Sequence, residues 1–155
     1  MYQGQITALL GHNGAGKTTT IGMLTGMVPP TSGSAVVAGY DIRNDLPLLR
    51  QNVGVCLQHD CLFPQLTVLE HMIFFSKVKG FDATMTKEEC EQELLTAIED
   101  VALLEKRHSY SKDLSGGMKR KLSVAIAFCG NSKVVFLDEP TSGMEYVFAI
   151  LLLIF

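Results

Sequence analysis

The sequence has no tryptophan and, in 155 residues, only four cysteines and four histidines. Cys56, Cys61, Cys90 and Cys129, with His12, His59, His71 and His108, show no ligand spacing, which argues against a zinc module. The thiols are expected to be reduced and mostly buried, in a cytosolic setting. Charge is also scarce. Charged residues make up 19% of the chain and the net charge is −3, so binding dominated by contacts to a nucleic-acid backbone is not expected. No basic stretch and apolar run follows Met1, so no secretory signal is visible. Residues Tyr146 to Phe155 are all apolar, but a bilayer span takes about 20 such residues, and this tail alone does not cross a membrane. What the chain does hold, 47% hydrophobic residues, describes one folded globular core.

Strand-like and helix-like stretches alternate, which argues for an α/β domain with a largely parallel sheet. Ile6 to Leu10 reads as a strand, and its abrupt position implies that Met1 is not the natural start of the domain. A Gly-rich loop begins at Gly11, and a helix is expected from Lys17 to about Met27. Pro29, Pro30 and Gly33 interrupt the chain before a strand over Ala35 to Ala38, and Val53 to Leu57 is a third short apolar run. Thr67-Val-Leu-Glu70 and Thr86-Lys-Glu-Glu89 are capping-box patterns that predict a helix to about Lys77 and a second one after Thr86. A third helix is expected from about Ser115, with Met118, Leu122, Ala125, Ile126 and Cys129 on one stripe. Residues 66–128 therefore read as a helical insertion between α/β segments at 1–65 and 129–144, followed by an apolar tail at 145–155.

Gly11-His-Asn-Gly-Ala-Gly-Lys-Thr18 fits the phosphate-loop (Walker A) pattern. Gly11, Gly14 and Gly16 let the backbone turn and approach an anion closely, with N–H groups converging and the helix dipole behind them. The candidate nucleotide-binding set is Gly11, Asn13, Gly14, Ala15, Gly16, Lys17, Thr18 and Thr19. Lys17 is suited to the β- and γ-phosphates of ATP, and the Thr18 hydroxyl to Mg²⁺. Val134 to Leu137 reads as a strand buried on both faces, ending in Asp138-Glu139-Pro140. Asp138 at that end can hold Mg²⁺ through water, and Glu139 can orient an attacking water and take its proton. Leu114-Ser115-Gly116-Gly117 adds a hydroxyl and open N–H donors at a helix start.

With these three elements the sequence resembles the ATP-binding cassette (ABC) family, whose signature is the Leu-Ser-Gly-Gly stretch. The resemblance covers about residues 2 to 144 and is closer to the A subfamily. It is carried there by the phosphate loop, Pro30-Thr-Ser-Gly33, Gln58-His-Asp60, Leu66-Thr-Val, Leu114 to Ser123 and Leu137 to Met144. It implies a P-loop NTPase (RecA-like) core with an inserted helical subdomain. It implies that Ser115, Gly116 and Gly117 close over ATP held by a second cassette in a head-to-tail dimer. Gln58 matches the family's Q-loop glutamine, a Mg²⁺ ligand that senses nucleotide. The implied catalytic set is Glu139, Lys17 and Gln58, and the implied metal set Thr18, Gln58 and Asp138. The implied partners are the second cassette and the transmembrane domains of a lipid exporter, which would place the chain at the cytosolic face of a membrane.

The pattern departs from the family after Met144. Glu145 stands where the family has Asp, no histidine follows His108 to act as the switch, and Tyr2 lies too close to the loop to be a firm adenine-stacking residue. The chain is therefore expected to end before the domain is complete, and alone to show little or no turnover. Two other readings share its motifs. One is a nucleotide-binding fragment without hydrolysis. The other is a soluble cassette acting on nucleic acid or ribosomes, which the absence of basic arms and zinc modules disfavours.

Overall fold

The computed structural model describes residues 5–80, 86–130 and 132–140. The apolar tail, Tyr2, and the Thr141 to Met144 part of the last motif lie outside the described residues. In chain order the elements are α1 (Lys17–Leu24), β1 (Val36–Val37), β2 (Tyr40–Asp41), α2 (Leu46–Asn52), β3 (Val53–Cys56), α3 (Val68–Val78), α4 (Lys87–Asp100), α5 (Gly116–Phe128) and β4 (Val134–Leu137). Short 3₁₀ turns at Leu104–Lys106 and Ser111–Asp113 join α4 to α5.

The expected strand at Ile6 to Leu10 is absent. These residues have no ladder partner among the described residues and lie open to solvent, Leu10 at 88% exposure. An apolar run becomes a strand only where a neighbour takes up its N–H and C=O groups. The first helix also stops earlier than Met27. Thr25 caps it through a hydroxyl bond to the Ile21 carbonyl (2.8 Å), and Gly26 at φ 68° turns the chain so that Met27 and Val28 donate to the Gly22 carbonyl.

The expected strand at Ala35 to Ala38 is one arm of a tight antiparallel hairpin, with Val37 opposite Tyr40. Ala38 and Gly39 both have positive φ (53° and 87°), the conformation of a two-residue turn matched to strand twist. The next helix, α2, was not anticipated. Pro47 sits in its first turn, where a missing N–H costs nothing. Asp41 anchors the approach to α2 by accepting from the Arg43 and Asn44 amides.

β3 and β4 pair in parallel, Val53 opposite Val134 through Cys56 opposite Leu137. One apolar cluster lies on one side of this pair, where Val37, Ile42, Leu49, Val53 and Phe136 are covered by Ile21 and Leu24 of α1. Cys56, Val124 and Ala127 form a second, against which Val135 and Leu137 pack, so α5 seats directly on the sheet. The largest cluster joins α3, α4 and α5 through Val68, Met72, Leu94, Ile98, Leu122 and Ala125. Three of the four thiols are buried, as expected, while Cys61 is exposed. Burial raises the pKa of both Cys56 and Cys129 to about 11.

Both capping boxes form. Thr67 and Thr86 accept from the amides of Glu70 and Glu89, and each glutamate accepts from the backbone amide of its threonine. That backbone bond, followed by the threonine side chain, lowers both carboxyl pKa values from 4.5. A carboxylate depressed on folding contributes stability above its unfolded pKa and loses it as pH falls through the folded value. Glu70→Ala and Glu89→Ala should therefore lower the melting temperature at pH 7, with the difference from wild type shrinking as pH falls below the ordinary glutamate range. Thermal melts by circular dichroism across that range check it. A deficit independent of pH would contradict it.

Candidate nucleotide site

The loop 11–16 folds as its glycines dictate. Gly14 and Gly16 have φ of 82° and 86°, and nothing lies within 4 Å of a Cβ placed on either. Gly16 is the N-cap of α1, and no side chain satisfies the first amides of that helix. The loop glycines thus leave open space beside the positive end of α1, which suits an anion. The Lys17 ammonium donates to the carbonyls of Gly11 (2.8 Å) and His12 (3.1 Å), and Ala15 closes the turn through its amide to the His12 carbonyl (3.1 Å). Asn13, Ala15, Thr18 and Thr19 are exposed around it.

The second group gathers at the C-terminal ends of β3 and β4, the edge where parallel sheets receive ligands. The Gln58 amide donates to Glu139 Oε2 at 3.2 Å, bringing together two residues 81 positions apart. Asp138 is 4% exposed, and its amide extends the ladder to the Cys56 carbonyl. Its Oδ2 is buried with no hydrogen-bond partner among the described residues. A buried carboxylate oxygen without a donor is costly, and a hydrated divalent cation would supply the missing partner. The residues present therefore fit Mg²⁺. Glu139 has φ 49°, a left-handed conformation that costs a non-glycine residue on the order of 1 kcal/mol and is commonest at functional sites.

No hydrogen bond among the described residues joins the loop to Asp138 or Glu139. The link is packing, because Ile21 and Leu24 of α1 lie against the cluster that holds Val53 and Phe136.

The Ser115 turn stands at the N-terminal end of α5. Ser115 and Gly116 are exposed, Ser115 Oγ accepts from the Met118 amide at 3.3 Å, and a Cβ on Gly116 would meet nothing. The serine is thus an N-cap whose surface remains reachable from outside the chain.

Sequence reasoning missed Arg120. It is 2% exposed on α5, one turn before Val124 and two before Ala127, on the face that seats against the sheet. Its Nη2 donates to the carbonyls of Asp138 (2.6 Å) and Glu139 (2.8 Å), and its Nε to that of Pro140 (3.2 Å). Its Nη1 donates to the Leu57 carbonyl and pairs with Asp60 at 3.4 Å, while Ser123 also donates to Asp60 (2.8 Å). The available signal was its spacing of four and seven from two small apolar residues, which puts a charge on a buried stripe.

Residues 1–142 match the family model described as ABC transporter. The chain is 56% identical over 144 residues to the retinal-specific phospholipid-transporting ATPase ABCA4 of Homo sapiens, covering 93% of this chain and 6% of that protein. It is 54% identical to ATP-binding cassette sub-family A member 2 of Rattus norvegicus, covering 94% of this chain and 6% of that protein. With the phospholipid-transporting ATPase ABCA3 of Rattus norvegicus the identity is 53%, covering 95% and 8%. The chain thus spans under a tenth of the length of these relatives. Among solved structures it is similar to the dimeric bacterial ABC transporter cassette MJ0796, with TM-score 0.79 and 23% identity, covering 90% of this chain and 63% of that one. A second structure of that cassette, bound to ADP and Pi, gives TM-score 0.80 at the same identity and coverage. No helix of the described residues is long and apolar enough to cross a membrane. The fold is that of an ABC transporter cassette, the relatives named are similar to this chain over nearly its whole length, and the chain belongs to the ABC transporter family.

Proposed function

We propose that this chain binds Mg-ATP and, in a complete dimer of cassettes, contributes to its hydrolysis to drive lipid export by a membrane transporter. The observation that carries the reading is the meeting of Gln58 and Glu139 beside the orphaned Asp138 carboxylate, at one end of a parallel strand pair. A phosphate loop with open positive-φ glycines supports it from the other side of α1.

In this reading the amides of residues 14–19 receive the phosphates, and Lys17 exchanges its two carbonyl partners for phosphate oxygens. Thr18, Gln58 and Asp138 hold Mg²⁺, which when bound neutralises charge on the phosphate oxygens. Glu139 accepts the proton of the attacking water, and its bond from Gln58 fixes the carboxylate's orientation. The turn of Ser115, Gly116 and Gly117, exposed at its first two residues, serves the nucleotide of a second cassette. The same reading divides the chain into an α/β core at 1–65 and 129–144 and a helical subdomain at 66–128, a division supported among the described residues by the β3–β4 pair and by the packing of α3, α4 and α5. The names of the relatives support a phospholipid cargo; placement at the cytosolic face of a membrane, beside transmembrane domains, is part of the same proposal.

Equilibrium binding of ATP tests this. A charged hydrogen bond is worth about 1.5–3 kcal/mol, so Lys17→Ala should weaken ATP binding roughly 10- to 150-fold. Unchanged affinity would contradict the assignment of the loop.

A further inference from the structure

We infer that Arg120 is a positioning residue for hydrolysis, locking the ends of β3 and β4 so that Gln58 and Glu139 face each other. This rests on the nucleotide reading above. The guanidinium is nearly sealed from solvent and sends its donors to carbonyls at both strand ends: Leu57 and Gln58 on one side, Asp138, Glu139 and Pro140 on the other. Only Arg can do this, because its five N–H donors diverge in one rigid plane, whereas an ammonium is a point donor on a flexible stem. The three carbonyls on the β4 side flank the residue with positive φ, Glu139, so the bonds hold its backbone in a conformation it would otherwise leave. On the β3 side the same fork fixes the carbonyls around Gln58, whose side chain reaches Glu139 at 3.2 Å. Asp60 neutralises the buried charge, and Ser123 holds Asp60 from the next turn of α5.

The consequence reaches further than local order. Arg120 is on the helix that begins at the exposed Ser115 turn. A push on that turn from a partner cassette is transmitted along α5 to the paired strand ends in the same chain. The Gln58–Glu139 contact is thereby tied to the position of the signature helix.

The test is steady-state ATPase of the complete protein that carries this cassette, comparing wild type, Arg120→Lys, Glu139→Gln and the double variant. Misplacing reacting groups by about 1 Å costs roughly 100-fold, so Arg120→Lys should lower kcat by about that factor. KM for ATP should change less than about threefold, because no phosphate contact is touched. The double variant should turn over no more slowly than Glu139→Gln alone, since Arg120 acts through that carboxylate. An unchanged kcat in Arg120→Lys would overturn the inference. So would a fall in kcat and ATP affinity together, with the double variant slower than Glu139→Gln by the full Arg120→Lys factor, which marks a purely structural role. If wild-type turnover is absent or indifferent to Lys17→Ala and Glu139→Gln, the nucleotide reading itself fails. If turnover depends on both but not on Arg120→Lys, only the role of Arg120 fails.

Discussion

In the complete protein, Glu139→Gln should reduce ATP turnover by about 100-fold or more while leaving ATP affinity within about twofold of wild type. Glutamine preserves the size of the side chain and an oxygen for Gln58 to reach, so the contact seen at 3.2 Å can persist. What it removes is the capacity to take a proton, which general-base catalysis needs and phosphate binding does not. Glu139 is exposed, carries no buried charge and contributes no core packing, so a large kinetic loss could not be attributed to unfolding. Steady-state kinetics alongside equilibrium binding checks this. Turnover retained within threefold would place the base elsewhere, and parallel loss of binding would mean that the carboxylate serves the nucleotide ground state.

The largest effect on stability is expected at Gly54. A Cβ on this residue would lie 1.8 Å from the Ala127 carbonyl oxygen and 2.8 Å from its carbonyl carbon, both backbone atoms that cannot swing aside. β3 and α5 touch backbone to backbone here, which is why a glycine occupies the middle of a buried strand. Gly54→Ala must push α5 off the sheet or bend β3, at a cost on the order of 3 kcal/mol, or roughly 10 °C in melting temperature. Because β3 leads straight into Gln58, the same displacement should reduce turnover in whatever folded fraction remains. Differential scanning fluorimetry measures the first effect. A melting temperature within 2 °C of wild type would mean that the close approach is absent in solution.

Lys79 shows how the far end of α5 is held. Its ammonium donates to the carbonyl of Cys129 (2.8 Å) and to Ser132 Oγ (2.6 Å), tying the end of α3 to the turn that enters β4. Burial lowers its pKa, and no acidic group is among its partners; the carbonyls at the helix terminus supply the negative end of the dipole instead. Arg120 near one end of α5 bonds the two strand ends, and Lys79 at the other ties the end of α3 to the end of α5 and to Ser132.

These bonds mark where reading the sequence stops being sufficient. Signals carried by adjacent residues were legible. Thr67 with Glu70 and Thr86 with Glu89 placed two helix starts correctly, because a capping box satisfies its own amides within four residues. The run Val134 to Leu137 is a strand with Asp138 and Glu139 at its end, as its pattern predicts, since apolar contacts on both faces leave a continuous apolar stretch even where burial is partial. Ile6 to Leu10 has the same local character and is not a strand, because pairing depends on a neighbour that local pattern cannot show. Pro47 and the Ala38-Gly39 turn are ambiguous in the sequence for a related reason. A proline is a breaker or a helix starter, and Ala-Gly a linker or a hairpin turn, according to the backbone the rest of the fold imposes. In the site, the phosphate loop announces itself by composition. The Gln58–Glu139 contact spans most of the chain, and Arg120 acts on carbonyls, which leave no trace in residue identity.

We propose that the glycine loop and the acidic strand end serve one Mg-ATP. The most direct measurement is ATP affinity with and without Mg²⁺ in wild type, Lys17→Ala, Asp138→Asn and the double variant. A shared pocket predicts that Mg²⁺ strengthens ATP binding in wild type but not in Asp138→Asn, and that the two substitutions together cost measurably less than the sum of their separate effects. Strict additivity, with the response to Mg²⁺ intact in Asp138→Asn, would show that the loop and the strand end do not act on the same ligand.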